Sequence, residues 1–164
     1  MNIDAAETKV VISEVMMPNK ANIAGNVHGG EIMKLMDSSA YAAARRYARS
    51  NVVTARVDEL EFHLPILIGD LVICSAEVVF VGRSSLEVAV TVEVEDLDHY
   101  GKRQKALSAY FTMVALDERS KPRTLPQLVL DTTEAQEKFA EGKRRYEEHK
   151  AKKRKEREQR EQQN

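Results

Sequence analysis

The chain has 164 residues, 43% of them hydrophobic and 31% charged, with a formal net charge of -1 at pH 7. That length suits one domain with one core, and the near-neutral balance offers no global attraction for nucleic acid or a membrane surface. A single cysteine, Cys74, excludes an intrachain disulfide framework.

The opening stretch, Met1-Asn2-Ile3-Asp4-Ala5-Ala6-Glu7, has neither the basic nor the apolar region of a secretory leader. No apolar run approaches the ~20 residues that span a bilayer, so the expectation is a soluble cytoplasmic protein. Residues 9–17 form the first predicted strand, starting on a β-branched run. Pro18-Asn19-Lys20-Ala21-Asn22 reads as a loop because Pro and Asn favour turns. A long helix is predicted over residues 30–49. Its residues Ile32, Leu35, Met36, Ser39, Ala40, Ala43 and Tyr47 recur at helical spacing and make one apolar face, with Lys34 and Arg45 opposite.

Four strands are predicted next, over residues 52–62, 71–81, 85–95 and 105–116. The third alternates most clearly, with Leu86, Val88, Val90, Val92 and Val94 on one face and Glu87, Thr91, Glu93 and Glu95 on the other. That is the period of a sheet with one buried side. The turns Gly69-Asp70 and Asp98-His99-Tyr100-Gly101 punctuate the series, and short connections imply antiparallel pairing. One helix cannot cover both faces of a five-stranded sheet, so the expected fold is α+β, a sheet curled around the helix. Ala40, Ala42, Ala43 and Ala44 suit that closeness. Beyond Pro126 the composition shifts to Glu, Lys, Arg and Gln. The expected division is a domain at 8–126 and a charged helical tail at 127–164. Phe139 and Tyr146 would anchor its first part, while residues 150–164 have no apolar face and are expected to be solvated or frayed.

Chemistry can concentrate at the start of the long helix. Gly29 and Gly30 leave backbone N–H groups uncovered at the positive end of the helix dipole, a place that can polarise a carbonyl or hold an oxyanion; a plain capping turn explains the same residues. Asp37 falls at the border of the apolar stripe, as a buried-edge acid or a surface one. Asn26 can orient water or a carbonyl, or cap the helix. His28 can be a base, although a histidine in a tight turn more often makes a structural hydrogen bond. Val81-Gly82-Arg83-Ser84-Ser85 reads as a hairpin turn or as a phosphate contact. His28, His63, His99 and His149 are too scattered for a zinc site, and no metal is expected.

The segment from Met16 to Gly30, followed by Met33-Lys34-Leu35-Met36-Asp37, closely resembles the hotdog-fold acyl-CoA thioesterases, notably the cytosolic long-chain (brain-type) hydrolases and their bacterial single-domain counterparts. Val53-Thr54-Ala55-Arg56-Val57-Asp58, Phe62, Gly69-Asp70, Gly82-Arg83-Ser84-Ser85 and the stretch from Ala109 to Ala115 extend the match over roughly residues 10–126. The tail, with Phe139-Ala140-Glu141-Gly142-Lys143, also resembles the end of the brain-type enzymes. The resemblance implies an antiparallel sheet of about five strands around one central helix. It implies hydrolysis of acyl-CoA without a cofactor, coenzyme A being part of substrate and product. It also implies a homodimer, assembled further as a trimer of dimers, with Asn26 of one protomer and Asp37 of the other facing one thioester. Asp37 would activate water or, less directly, attack as a nucleophile. Gly29 and Gly30 would polarise the carbonyl, with His28 in support. Thr54, Ala55 and Arg56 would line the pantetheine and phosphate path, and Arg83, Ser84 and Ser85 would lie near the nucleotide. Met33, Met36 and Ala40 would neighbour the acyl chain.

Three rival functions fit parts of the same sequence. A non-catalytic acyl-CoA sensor on this fold is the main one, but such regulators carry an extra N-terminal DNA-binding segment, and here the first strand is expected within about ten residues. A hotdog dehydratase would place a histidine and an acid near the helix, whereas the Asn-Val-His-Gly-Gly setting matches the thioesterases. A nucleic-acid binder would depend on the basic tail, whose acids Glu147, Glu148, Glu156 and Glu158 argue against it.

Overall fold

The computed structural model describes residues 3–99 and 101–163. Met1 and Asn2 of the opening stretch, Tyr100 of the predicted turn and Asn164 of the tail lie outside the described residues. The elements run β1 (Ile3–Asp4), β2 (Val10–Val15), α1 (Gly29–Ala48), β3 (Asn51–Phe62), β4 (Leu71–Val81), β5 (Ser85–Glu95), β6 (Gln104–Leu116), β7 (Leu128–Val129) and α2 (Thr133–Gln162), with short 3₁₀ turns at Ala5–Thr8 and Pro18–Lys20.

Strand alternation and the helical stripe find each other as the period argument requires. Ile32, Met36, Ser39, Ala40, Ala43 and Tyr47 are all buried on α1, and Leu86, Val88, Val90, Val92 and Val94 meet them from β5. The five long strands form one antiparallel sheet in the order β2-β4-β5-β6-β3. All five strands touch α1, so the sheet wraps the helix as expected. Ala40, Ala43 and Ala44 are fully enclosed, because only small side chains let several strands approach one helix axis. The helix ends at Arg49, which adopts a left-handed conformation (φ 52°) and donates its N–H to the Arg45 carbonyl. Tyr47 donates its hydroxyl to the Pro126 carbonyl, and burial pushes its pKa up to about 12.

Consecutive strands are not always neighbours. β3 pairs with β6 and β4 pairs with β2, so the connection at residues 63–70 crosses the end of the sheet rather than closing a hairpin. Hydrophobic period specifies which face a strand buries, not which strand lies beside it. The crossing loop is tied down by Val27 N–H to Ile66 carbonyl (2.9 Å) and Gly69 N–H to Met16 carbonyl (2.8 Å). Gly69 has φ +91°, a turn geometry that glycine adopts at low cost.

Part of the sheet's outer face, chiefly along β4, is covered by α2. A bulge at Val79 turns Phe80 outward to stand opposite Glu87, and Phe80 meets Phe139 and Tyr146 with ring centroids 5.0 and 5.2 Å apart. Glu87, which simple alternation exposes to water, is only 4% exposed. It accepts three hydrogen bonds of 2.7–3.2 Å from Arg145, whose guanidinium lies 3.6 Å from the Tyr110 ring centroid. Burial pushes the Glu87 carboxyl up, and the Arg145 guanidinium pulls it part of the way back. Phe139 and Tyr146 do anchor α2, as predicted, but so do Gly142 and Arg145. The helix continues unbroken to Gln162, its last turns exposed. Among the described residues no helix is long and apolar enough to cross a membrane.

Candidate active site

The loop before α1 is held on both sides. Asn22 donates to the Asn26 carbonyl (2.7 Å), and its side-chain oxygen accepts from the Asn26 N–H (3.2 Å). Asn26 also bridges Leu67 of the crossing loop, which fixes its backbone while its side-chain amide has no partner among the described residues. His28 caps the helix. Its Nδ1 accepts from the Gly30 N–H at 3.0 Å, and its carbonyl accepts from the Glu31 N–H at 2.9 Å. A Cβ at Gly30 would come within 3.1 Å of that Nδ1, so glycine there keeps the cap from being crowded. Of the two N–H groups expected to be bare, Gly30 is therefore engaged. The Gly29 N–H has no partner among the described residues and stands at the positive helix end. Phe62 lies beside Gly29, 3.7 Å from where a Cβ would project.

Two turns further along α1, Asp37 is exposed, and its Oδ1 accepts a 2.7 Å hydrogen bond from Thr54 Oγ1 on β3. That bond leaves Oδ2 available and restricts the rotation of the carboxylate. Strand β3 is one of the two edge strands of the sheet, β2 being the other, and it carries an extra residue at Ala55: Thr54 pairs with Met113 and Arg56 with Thr112. The bulge divides three consecutive residues between two places. Thr54 stays with α1 and Asp37. Arg56 turns to the outer face, where Nε reaches Asp58 at 2.7 Å and a terminal nitrogen reaches Thr112 at 3.3 Å.

Arg83, Ser84 and Ser85 form the β4–β5 hairpin, closed by Gly82 N–H to the Ser85 carbonyl (2.8 Å). The Arg83 and Ser84 carbonyls accept from Leu125 and Ala115, which leaves the Arg83 side chain exposed. Ser85, Ala55 and Arg56 line one groove of about 220 Å³ with Tyr146, His149, Lys150 and Lys153 of α2. The resemblance puts Ala55 and Arg56 on a pantetheine and phosphate path and Ser85 near a nucleotide; it gives no such role to His149, Lys150 or Lys153, whose only signal is their spacing along a polar helix. It also missed Thr54 as the partner of Asp37. Met36 and Ala40, expected beside an acyl chain, are fully buried in this chain's own core; Met33 is 41% exposed and remains available. No hydrogen bond joins Asn26 to Asp37 within the chain. Among the described residues no group of three or more histidine, cysteine or acidic residues is placed to hold a metal ion.

Comparison with known proteins gives a consistent result. The thioesterase superfamily model matches residues 24–99, from the loop before α1 to the turn that follows β5. The mouse cytosolic acyl coenzyme A thioester hydrolase is 41% identical over 137 residues, 83% of this chain and 36% of the mouse protein. The chain thus spans about a third of the length of that relative. A crystal structure of an acyl-CoA hydrolase from Bacillus cereus superposes with a TM-score of 0.87 at 30% identity, covering 96% of each chain. A hexameric thioesterase from Yersinia pestis superposes at 0.67 with 37% identity, covering 71% of this chain and 93% of the other.

Proposed function

Because this chain belongs to the acyl-CoA hydrolases of the thioesterase superfamily, we propose that it hydrolyses acyl-CoA to a carboxylic acid and free coenzyme A. The observation that carries the reading is the 2.7 Å bond from Thr54 to Asp37. It holds an accessible carboxylate on the same helix whose first N–H, at Gly29, has no partner among the described residues. In this reading the Gly29 N–H donates to the thioester carbonyl, with Gly30 and the His28 cap keeping the helix start in place. Asp37 takes a proton from water as its oxygen attacks the carbonyl carbon. The carbon–sulfur bond then breaks, and the departing thiolate takes the proton that Asp37 removed from water, which returns the carboxylate to its starting state. Asn26 orients the water or the carbonyl.

Asn26 and Asp37 are supplied by different protomers in this proposal. Its physical support is the free edge of β3, twelve residues long, together with Ile23, Met33, Val53 and Phe62, which the single chain leaves exposed. An uncovered strand edge beside apolar side chains is a pairing surface. A homodimer joined there would hold two complete sites, and three such dimers would make a hexamer like that of the Yersinia relative. The domain at 8–126 would carry the chemistry, with 127–164 as an added helical unit working in the cytoplasm.

Release of free thiol from a panel of acyl-CoA substrates tests the activity. Asp37→Ala should lower turnover by about 10²–10⁴-fold, the usual contribution of a general base, and unchanged turnover would remove Asp37 from the mechanism. Mixing equal amounts of Asn26→Ala and Asp37→Ala protomers separates shared from self-contained sites. Random pairing makes half the dimers mixed, each with one intact site of two, so about a quarter of the activity should return; none should return if each protomer acts alone. Binding of acyl-CoA without any thiol release would favour a sensor.

A further inference from the structure

Helix α2 crosses the outer face of the sheet in strand order. Lys138 reaches Glu77 and Phe139 packs on Phe80, both on β4. Arg145 pairs with Glu87 of β5 and lies over the Tyr110 ring of β6. His149 Nε2 then reaches Asp58 of β3 at 3.2 Å. From Phe139 to His149 the helix rises ~15 Å, and three strand spacings amount to ~14 Å. The axis therefore runs across the strands toward the β3 edge. At His149 it stands over the last strand on that side, but the helix does not end there. Residues 152–162 stay helical and are all exposed. They carry the axis ~16 Å further, the width of about three more strands.

Charge says what this overhang meets. The sheet-facing residues Phe139, Gly142, Tyr146 and His149 continue, at the same spacing of three or four, as Lys153, Glu156, Arg157 and Arg160. Three cations to one acid thus point to the side on which a sheet would lie, and Arg160 makes no ion pair among the described residues. The edge strand carries the opposite excess. Asp58 stands opposite Tyr110 and Glu61 opposite Ser108, which puts both acids on the outer face that α2 crosses. Glu59 is exposed and makes no ion pair among the described residues, and Glu61 has only His63, at 4.0 Å. Resting on the homodimer of the reading above, in which a second copy pairs along β3, we propose that residues 152–162 reach over the partner subunit's sheet and strap the two protomers together. The partner's β3 brings the same acids to the far side of the seam, where these cations arrive. Two-fold symmetry makes the strap reciprocal. Each helix is anchored on its own sheet by the buried Arg145–Glu87 pair and ends on the other, so it adds to dimer affinity without touching the reacting atoms.

Fluorescence-detected sedimentation of the full chain tests this. The variant is Arg157→Glu/Arg160→Glu, because both side chains are exposed and lie outside every contact that anchors α2. The protein concentration at half-dissociation should rise on the order of tenfold at low salt, and the rise should shrink at high salt, where exposed charges are screened. Adding Glu59→Arg/Glu61→Arg to the same chain should restore most of the affinity, since the charges are then exchanged rather than lost; a frayed helix end would not be rescued. Carbodiimide coupling of unlabelled with ¹⁵N-labelled protomers should join Lys152, Lys153 or Lys155 to Glu59 or Glu61 in mixed-isotope peptides. Dissociation unchanged by the arginine reversal, a reversal that the second pair fails to rescue, or cross-links confined to single protomers would each overturn the strap and leave the shared-site dimer standing. A parent chain that stays monomeric while releasing thiol from acyl-CoA would instead sink the shared site, and the strap with it, and leave the hydrolase activity intact.

Discussion

Gly142 sets the distance between α2 and the sheet, and replacing it with alanine puts two known effects in opposition. Helix propensity alone favours alanine over glycine by about 1 kcal/mol in a helix interior. Against that, a Cβ at position 142 would lie 2.6 Å from Phe80 Cβ and 3.2 Å from Glu87 Oε1. Phe80 Cβ is one bond from the strand backbone and cannot swing aside, so helix and strand must separate. Overpacking of that kind costs about 1–3 kcal/mol. Separation also stretches the Arg145–Glu87 contact, three residues along the same helix. We expect Gly142→Ala to lose about 1–2 kcal/mol net, lowering Tm by about 2–8 °C for a chain of this size. Thermal melts followed at the helix signal should be run at fixed protein concentration, because oligomers shift with it. Lys143→Gly, at the exposed neighbouring position, gives the propensity scale on the same helix and should lose about 1 kcal/mol. A Gly142→Ala chain that melts higher than the parent would refute the packing argument, since only propensity would then be operating.

Arg145→Leu should cost about 3–5 kcal/mol by leaving the Glu87 carboxylate buried without its partner. The double change Arg145→Leu/Glu87→Leu should recover most of that in denaturant melts. Thr54→Val removes the hydroxyl that holds Asp37 and should lower kcat about tenfold, the loss of roughly one hydrogen bond's orienting effect, whereas Thr54→Ser should restore it. Cys74 is fully buried, and burial pushes its thiol pKa up against a smaller opposing bond from Ser39. A thiol reagent should therefore find no reactive cysteine in the folded chain, even at mildly alkaline pH, and one equivalent in denaturant. A fast-reacting thiol in native buffer would contradict that burial.

Much of this protein was legible from residue order alone. Period two in residues 85–95 and the three-to-four spacing from Ile32 to Tyr47 identify a half-buried strand and a core helix, because each pattern is a local property of backbone geometry. The alanines of α1 announce a closely wrapped helix for the same local reason. His28-Gly29-Gly30 marks a helix start, and the family resemblance is what proposes Asn26 and Asp37 for the chemistry. The tertiary structure decided what local pattern does not encode. Strand order placed β3 at one edge and sent residues 63–70 across the sheet. The bulge at Ala55 put Thr54 on Asp37 and Arg56 on the opposite face. Most of all, it turned a polar tail into part of the molecule. Glu87 and Arg145 each look like surface charges in sequence, 58 residues apart. They become a buried pair only because Gly142 lets a helix come close enough to exclude the water that would otherwise solvate both.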